Sequence, residues 1–170
     1  MTPQAESVLE MFRSTGAYLQ GHFRLTSGLH SAEYLQSALV LQHPAAAEKL
    51  GRLLAEEIRK HAAEKIGLVV SPALGGLIIG HEVARALGTR FIFMERDAVT
   101  VKMTLRRGFS VDPGEVAVVI EDVITTGGST RDDLAPPSAT RCCRPDPRPV
   151  VRRPHRRTRA ANSASGAPRM

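Results

Sequence analysis

The segment Glu121-Asp122-Val123-Ile124-Thr125-Thr126-Gly127-Gly128-Ser129-Thr130 joins two adjacent carboxylates to four hydroxyls and two glycines. It follows VAVVI (116–120), an apolar run rich in β-branched residues. Glycine lets backbone N–H groups approach a bound anion closely, and a helix start favours phosphate through its dipole and unpaired donors. The hydroxyls of Thr125, Thr126, Ser129 and Thr130 complete such a cradle. The chain has neither the Lys of a GxxxxGK[ST] loop nor a GxGxxG pattern at this point, which favours a monophosphate over a triphosphate. Glu121 and Asp122 would repel a phosphate they faced. They suit sugar hydroxyls, or a Mg²⁺ that those hydroxyls also meet. Acid pair and phosphate loop together suggest a ribose 5-phosphate moiety. The plainer alternative is an acidic, Thr-rich helix entry with ordinary capping.

Such a loop must be delivered by a strand and followed by a helix. Residues 4–15 read as a short helix, and GHFRLTSGLHSAEYLQ (21–36) as two short strands around Ser27-Gly28. A long helix runs from Pro44 to about Lys65, with Ala46, Leu50, Leu53, Leu54 and Ile58 at helical spacing. A buried strand at Ile66–Val70, the loop SPALGG (71–76), a helix through Leu87 and a strand at 91–94 follow. Residues 95–114 form a polar excursion with hairpin character, and VAVVI is the clearest strand. A helix starts at Thr130. Strand, loop and helix in alternation argue for an α/β fold with a parallel sheet.

Composition divides the chain. Residues 135–170 hold nine Arg against one acid, seven of the eleven Pro and both Cys, Cys142 and Cys143. That segment carries +8 of a whole-chain +6, which leaves −2 on residues 1–134. It reads as a disordered Arg/Pro-rich tail, so the basic balance is not a nucleic-acid signature of the body. No run approaches the roughly 18 apolar residues of a membrane span, and the acidic amphipathic N-terminus is not a secretory signal. The Cys-free body fits a cytoplasmic protein, and two adjacent Cys in the tail make no zinc site with paired spacing.

VVIEDVITTGGST (118–130) resembles the phosphoribosyl-pyrophosphate (PRPP) signature of type I phosphoribosyltransferases. GHFRLTSGLHSAEYLQ is similar to the hood segment of the orotate phosphoribosyltransferase family, and SPALGG to its pyrophosphate loop. The resemblance covers residues 5–134. It implies a type I phosphoribosyltransferase-like parallel sheet flanked by helices, with a small N-terminal hood. The implied reaction joins PRPP and orotate into orotidine 5′-monophosphate and pyrophosphate, in pyrimidine (UMP) biosynthesis, with Mg²⁺ on the PRPP.

The resemblance also implies roles. Glu121 and Asp122 meet the ribose hydroxyls directly or through Mg²⁺, and Thr125, Thr126, Gly127, Gly128, Ser129 and Thr130 surround the 5-phosphate. Ser71, Ala73, Gly75 and Gly76 border the pyrophosphate. Many family members carry a Lys where Gly75 and Thr26 stand, so the cations of ERDAVTVKMTLRRGFSVDPGE (95–115) become the replacements. In the place of the family's mobile catalytic loop stand Arg96 and Lys102, which with Asp122 are the catalytic candidates, and Arg106 and Arg107 as PRPP contacts. The alternative for any one of these cations is a solvated basic hairpin. Tyr34, Leu35 and Thr126 fall where the family contacts orotate, while His22 and His30 read as surface or packing residues. The resemblance also implies a homodimer, with the mobile loop shared across the interface.

Beyond Thr130 the family pattern calls for a full amphipathic helix and a further strand, of which this sequence offers only the helix start at 130–134; the C-terminal part of the fold is expected to be missing. A reading-frame shift between about Thr130 and Pro136 is the expected source of the Arg- and Pro-rich composition, which is what GC-rich DNA encodes out of frame, and low or absent activity is the expectation for such a chain. The rival readings are a purine or uracil phosphoribosyltransferase and a PRPP-sensing regulator whose basic tail holds nucleic acid.

Overall fold

The protein is described by a computed structural model, which covers residues 2–25 and 28–123. In chain order the elements are α1 (Pro3–Ser14), β1 (Tyr18–Arg24), β2 (His30–Leu35), α2 (Ser37–Leu41), α3 (Pro44–His61), β3 (Leu68–Pro72), α4 (Gly76–Leu87), β4 (Arg90–Arg96), β5 (Met103–Leu105) and β6 (Ala117–Val119). Helix α1 starts where Thr2 accepts a hydrogen bond from the Ala5 N–H and Pro3 sets the first turn. Helix α3 starts on Pro44 and ends where Ala62 turns extended.

Strands β1 and β2 form a separate antiparallel two-stranded sheet, and the main sheet has the order β5-β4-β3-β6. Strands β4 and β6 both run parallel to β3, whereas β5 is antiparallel to β4. The sheet is therefore mixed at its β5 end. On one face Val69, Val118 and Ile120 join Leu50, Ile58, Ile79 and Val83 of α3 and α4 in one buried cluster. On the other face Leu68, Val70, Ile92, Met94 and Ala117 cluster with Met103 and Leu105 of β5 and with Phe109 and Val111 beyond it. The excursion expected to be polar thus supplies an edge strand and apolar side chains to the second sheet face. None of the helices among the described residues is long and apolar enough to cross a membrane.

Several boundaries differ from those expected. The strand expected at 66–70 lies at Leu68–Pro72, because Ser71 and Pro72 continue the parallel pairing onto Phe93 and Met94. The helix expected to reach Lys65 stops at His61. The hood strands begin at Tyr18 rather than Gly21, and α2 follows them at Ser37–Leu41. The phosphate loop Thr125–Thr130, the helix expected from Thr130 and the tail 135–170 lie outside the described residues.

Candidate functional site

Three segments meet at the carboxyl edge of the parallel strands, the edge where α/β sheets bind ligands. Strand β3 ends in the turn that opens α4, and the Ala73 N–H donates to the Met94 carbonyl at 2.8 Å. Strand β6 is extended by the Ile120 N–H, which donates to the Val70 carbonyl at 2.8 Å. That bond carries Glu121 and Asp122 to the same edge as residues 73–76. Strand β4 ends at Arg96, one position along the same edge.

The closest approach is between the first two segments. A β-carbon built on Gly75 would stand 2.7 Å from Asp122 Oδ1 and 2.8 Å from Oδ2. Asp122 is exposed and Glu121 half-buried. Gly76 begins α4, whose first-turn N–H groups have no intrahelical acceptor. The Ala73–Leu74 peptide bond is cis. Ser71 is fully buried, its hydroxyl packed against Gly80 under α4 without a hydrogen-bond partner among the described residues. It therefore does not present its side chain to the edge.

The excursion places its cations on its own acids. Arg107 forms a bidentate pair with Glu95, both bonds 3.0 Å, and this bonding lowers the Glu95 pKa and raises that of Arg107. Arg106 meets Asp97 at 2.8 Å. Asp97 Oδ1 also accepts from the Val99 and Thr100 N–H groups and the Thr100 hydroxyl at 2.8–3.0 Å. These bonds, the Thr100 amide first, hold its pKa down to about 2. Arg96 donates to the Val101 carbonyl at 2.7 Å. Lys102 is exposed, its carbonyl accepting from the Asp97 N–H at 2.8 Å. Val101 and Arg107 both adopt φ of 61°, the left-handed region that non-glycine residues seldom enter. Glu95 and Asp97, which were not among the expected site residues, have their sequence signal in the alternating charge Glu95-Arg96-Asp97 at the strand end.

Tyr34 and Leu35 lie on the two-stranded sheet, opposite Leu19 and Tyr18. Tyr34 is partly exposed, with Phe23 tilted against it at 5.5 Å between ring centroids. Thr125, Thr126, Gly127, Gly128, Ser129 and Thr130 lie outside the described residues. A hollow of about 160 Å³ lined by Arg59, Lys65, Ile66 and Leu87 sits at the amino edge of β3. No residue expected to be functional borders it.

The donor set at the carboxyl edge bears on Mg²⁺. Among the described residues no three His, Cys, Asp or Glu side chains converge as a metal site. The Asp122 carboxylate beside a side-chain-free Gly75, with Glu121 next to it in the chain, fits a Mg²⁺ that brings most of its ligands from substrate oxygens and water. The two acids do not fit a cation enclosed by protein alone.

No family model matches the chain. Among solved structures, UMP synthase of Leishmania donovani superposes with a TM-score of 0.62 at 19% identity, over 76% of this chain and 27% of that one. Orotate phosphoribosyltransferase of Aeropyrum pernix superposes with a TM-score of 0.57 at 21% identity, over 74% of this chain and 70% of that one. The fold is that of the type I phosphoribosyltransferases.

Sequence relatives narrow the class. Orotate phosphoribosyltransferase of Pelotomaculum thermopropionicum is 55% identical over 127 residues, 75% of this chain and 64% of the relative. That of Methylorubrum populi is 53% identical over 135 residues, 79% of this chain and 67% of the relative. The chain belongs to the orotate phosphoribosyltransferase family. It spans 59–65% of the length of three of the curated relatives it matches.

Proposed function

We propose that the chain binds PRPP at the carboxyl edge of β3 and β6 and carries the site for its reaction with orotate. The products would be orotidine 5′-monophosphate and pyrophosphate, formed in the cytoplasm. The observation that carries this reading is the contact of the Asp122 carboxylate with the open backbone at Gly75. It puts an acceptor for a sugar diol beside a turn whose amides suit a diphosphate.

Each residue has a task in this reading. Glu121 and Asp122 accept hydrogen bonds from the ribose hydroxyls and offset positive charge as the anomeric carbon becomes oxocarbenium-like. Amides from 125 to 130 hold the 5-phosphate, and those at Ala73, Gly75 and Gly76 border the pyrophosphate. Mg²⁺, held by the substrate with Glu121 and Asp122, would supply charge neutralisation of the leaving diphosphate. Arg106 and Arg107 exchange Asp97 and Glu95 for pyrophosphate oxygens, and Arg96 and Lys102 stabilise the departing charge. Tyr34, Leu35 and Thr126 contact the base, with the aromatic ring of Tyr34 stacking on it. A homodimer, with the excursion shared between copies, completes the proposal.

The aligned stretches reach 72–79% of the chain in the relatives cited, so a fifth or more stands outside them. That leaves room for a segment as long as 135–170 outside the family match, and reading it as out-of-frame sequence with weak turnover belongs to the same proposal. Calorimetric titration of the purified chain with PRPP and Mg²⁺ tests the site, because binding does not require complete chemistry. Saturable heat that disappears in Asp122→Asn supports it. No heat, or heat unchanged in that variant, overturns it.

A further inference from the structure

The carboxyl-edge site leaves unused a pair of side chains on the hairpin β1–β2, His22 and His30. His30 Nδ1 and His22 Nε2 stand 2.6 Å apart. The ring centroids are 4.7 Å apart with the planes 25° from parallel. Nitrogens so much closer than the centroids mean that the rings meet edge to edge, nitrogen to nitrogen, and not face to face. Two imidazoles in this arrangement can share one proton, or they can turn both lone pairs onto one cation.

The backbone explains the meeting. Gln20 pairs with Glu33 and Phe23 with Ser31, so β1 has one residue more than β2 over this interval. The bulge contains His22, and bulges re-aim side chains. Arg24 pairs with His30, which makes His22 the diagonal cross-strand neighbour of His30. Both histidines are exposed, so neither ring is held by a core and each can rotate. Arg24 is also exposed and can carry its charge away into water.

We propose that His22 and His30 form a two-histidine chelate for a divalent late first-row transition cation, of which Zn²⁺ is the probe. Zn–N bonds of about 2.0–2.1 Å at tetrahedral to right angles put two ligand nitrogens roughly 2.9–3.4 Å apart. The observed pair reaches that spacing by opening less than about an ångström, through rotation of two exposed rings. Imidazole suits Zn²⁺, Cu²⁺ and Ni²⁺, whereas Mg²⁺ demands oxygen. The site is therefore chemically separate from the one proposed for Mg²⁺ and PRPP. Among the described residues no third His, Cys, Asp or Glu converges there, so water fills the remaining positions. The bound cation ties β1 to β2 across the bulge.

The test uses the full chain with Cys142→Ser and Cys143→Ser, which removes competing thiols. Zn²⁺ is titrated against a chromophoric chelator in excess Mg²⁺. One Zn²⁺ bound, with affinity falling about tenfold or more in both His22→Asn and His30→Asn, supports the chelate. Affinity equal to the parent's in either variant overturns it, as does a parent that binds no better than the double variant. Imidazole NMR of the unmutated pair gives a second readout. Zn²⁺ must move the His22 and His30 nitrogen resonances, and movement confined to other histidines overturns the proposal.

Discussion

The carboxylate of Asp122 occupies the space a side chain on Gly75 would need, with Oδ1 only 2.7 Å from the β-carbon position. Gly75 itself is helical, φ −55° and ψ −40°, so its backbone does not require glycine. Alanine there costs the fold nothing and restricts the unfolded chain, a change worth about 0.4–1 kcal/mol in favour of folding. It must instead push Asp122 aside. Gly75→Ala is expected to weaken PRPP binding about tenfold, about 1.4 kcal/mol, while leaving the thermal midpoint unchanged or raised. Calorimetry and a melting curve on the same sample separate the two effects.

Arg107 is held by both oxygens of Glu95, and a pyrophosphate can take the guanidinium only by displacing them. The pair is solvent-exposed, and exposed pairs are weak and salt-screened. Glu95→Gln therefore frees a cation at little cost. PRPP binding should tighten by about threefold at low ionic strength, and the gain should vanish in concentrated salt. Weaker binding in the variant would mean that Glu95 positions Arg107 rather than competing for it.

Asp97 closes the turn 97–102 by accepting from Val99 and Thr100 while pairing with Arg106. Its pKa is depressed from 3.8 to about 2. A depressed carboxylate favours order above its ordinary value, and the order is lost as pH falls from there through the folded value. The amide resonances of Val99 and Thr100 should accordingly titrate with a midpoint near 2. A midpoint near 3.8 would show that the turn does not hold in solution. Asp97→Ala should remove the transition and release both Arg106 and the backbone that carries Lys102.

Much of this architecture was legible because burial dictates residue type. Leu68, Val69 and Val70 are apolar without alternation since both sheet faces are covered. Helices α3 and α4 show helical spacing because one side of each is buried in the cluster on the first sheet face. Helix α2 escaped notice: five residues, Ser37–Leu41, are too few for a period to emerge. Ser71 and Pro72 look like loop residues, and only tertiary pairing with Phe93 and Met94 makes them strand. At the site, the acid pair and the Gly-rich turn were visible, but their contact was not, since Gly75 and Asp122 are joined by strand order. The partners of Arg106 and Arg107 were equally hidden, because a sequence shows charges and not which acid each cation reaches.

Helix α4 lies so close to β3 that a methyl group on Gly80 would collide with the Ser71 hydroxyl and stand 2.7 Å from the Phe91 ring. Both neighbours belong to the packed sheet, so neither can retreat freely, and overpacking of this kind costs about 1–3 kcal/mol. Gly80→Ala should lower stability by that amount in denaturant unfolding. Ser71→Ala alone should not, because the buried hydroxyl lacks a partner among the described residues and its removal leaves no polar group stranded. In Gly80→Ala/Ser71→Ala the clash with the hydroxyl disappears, but Phe91 and the Ser71 β-carbon position, 3.0 Å away, remain. The double variant should thus recover part of the loss. A strictly additive double variant would show that the hydroxyl is not what limits the approach of α4, and the cost would then rest with Phe91.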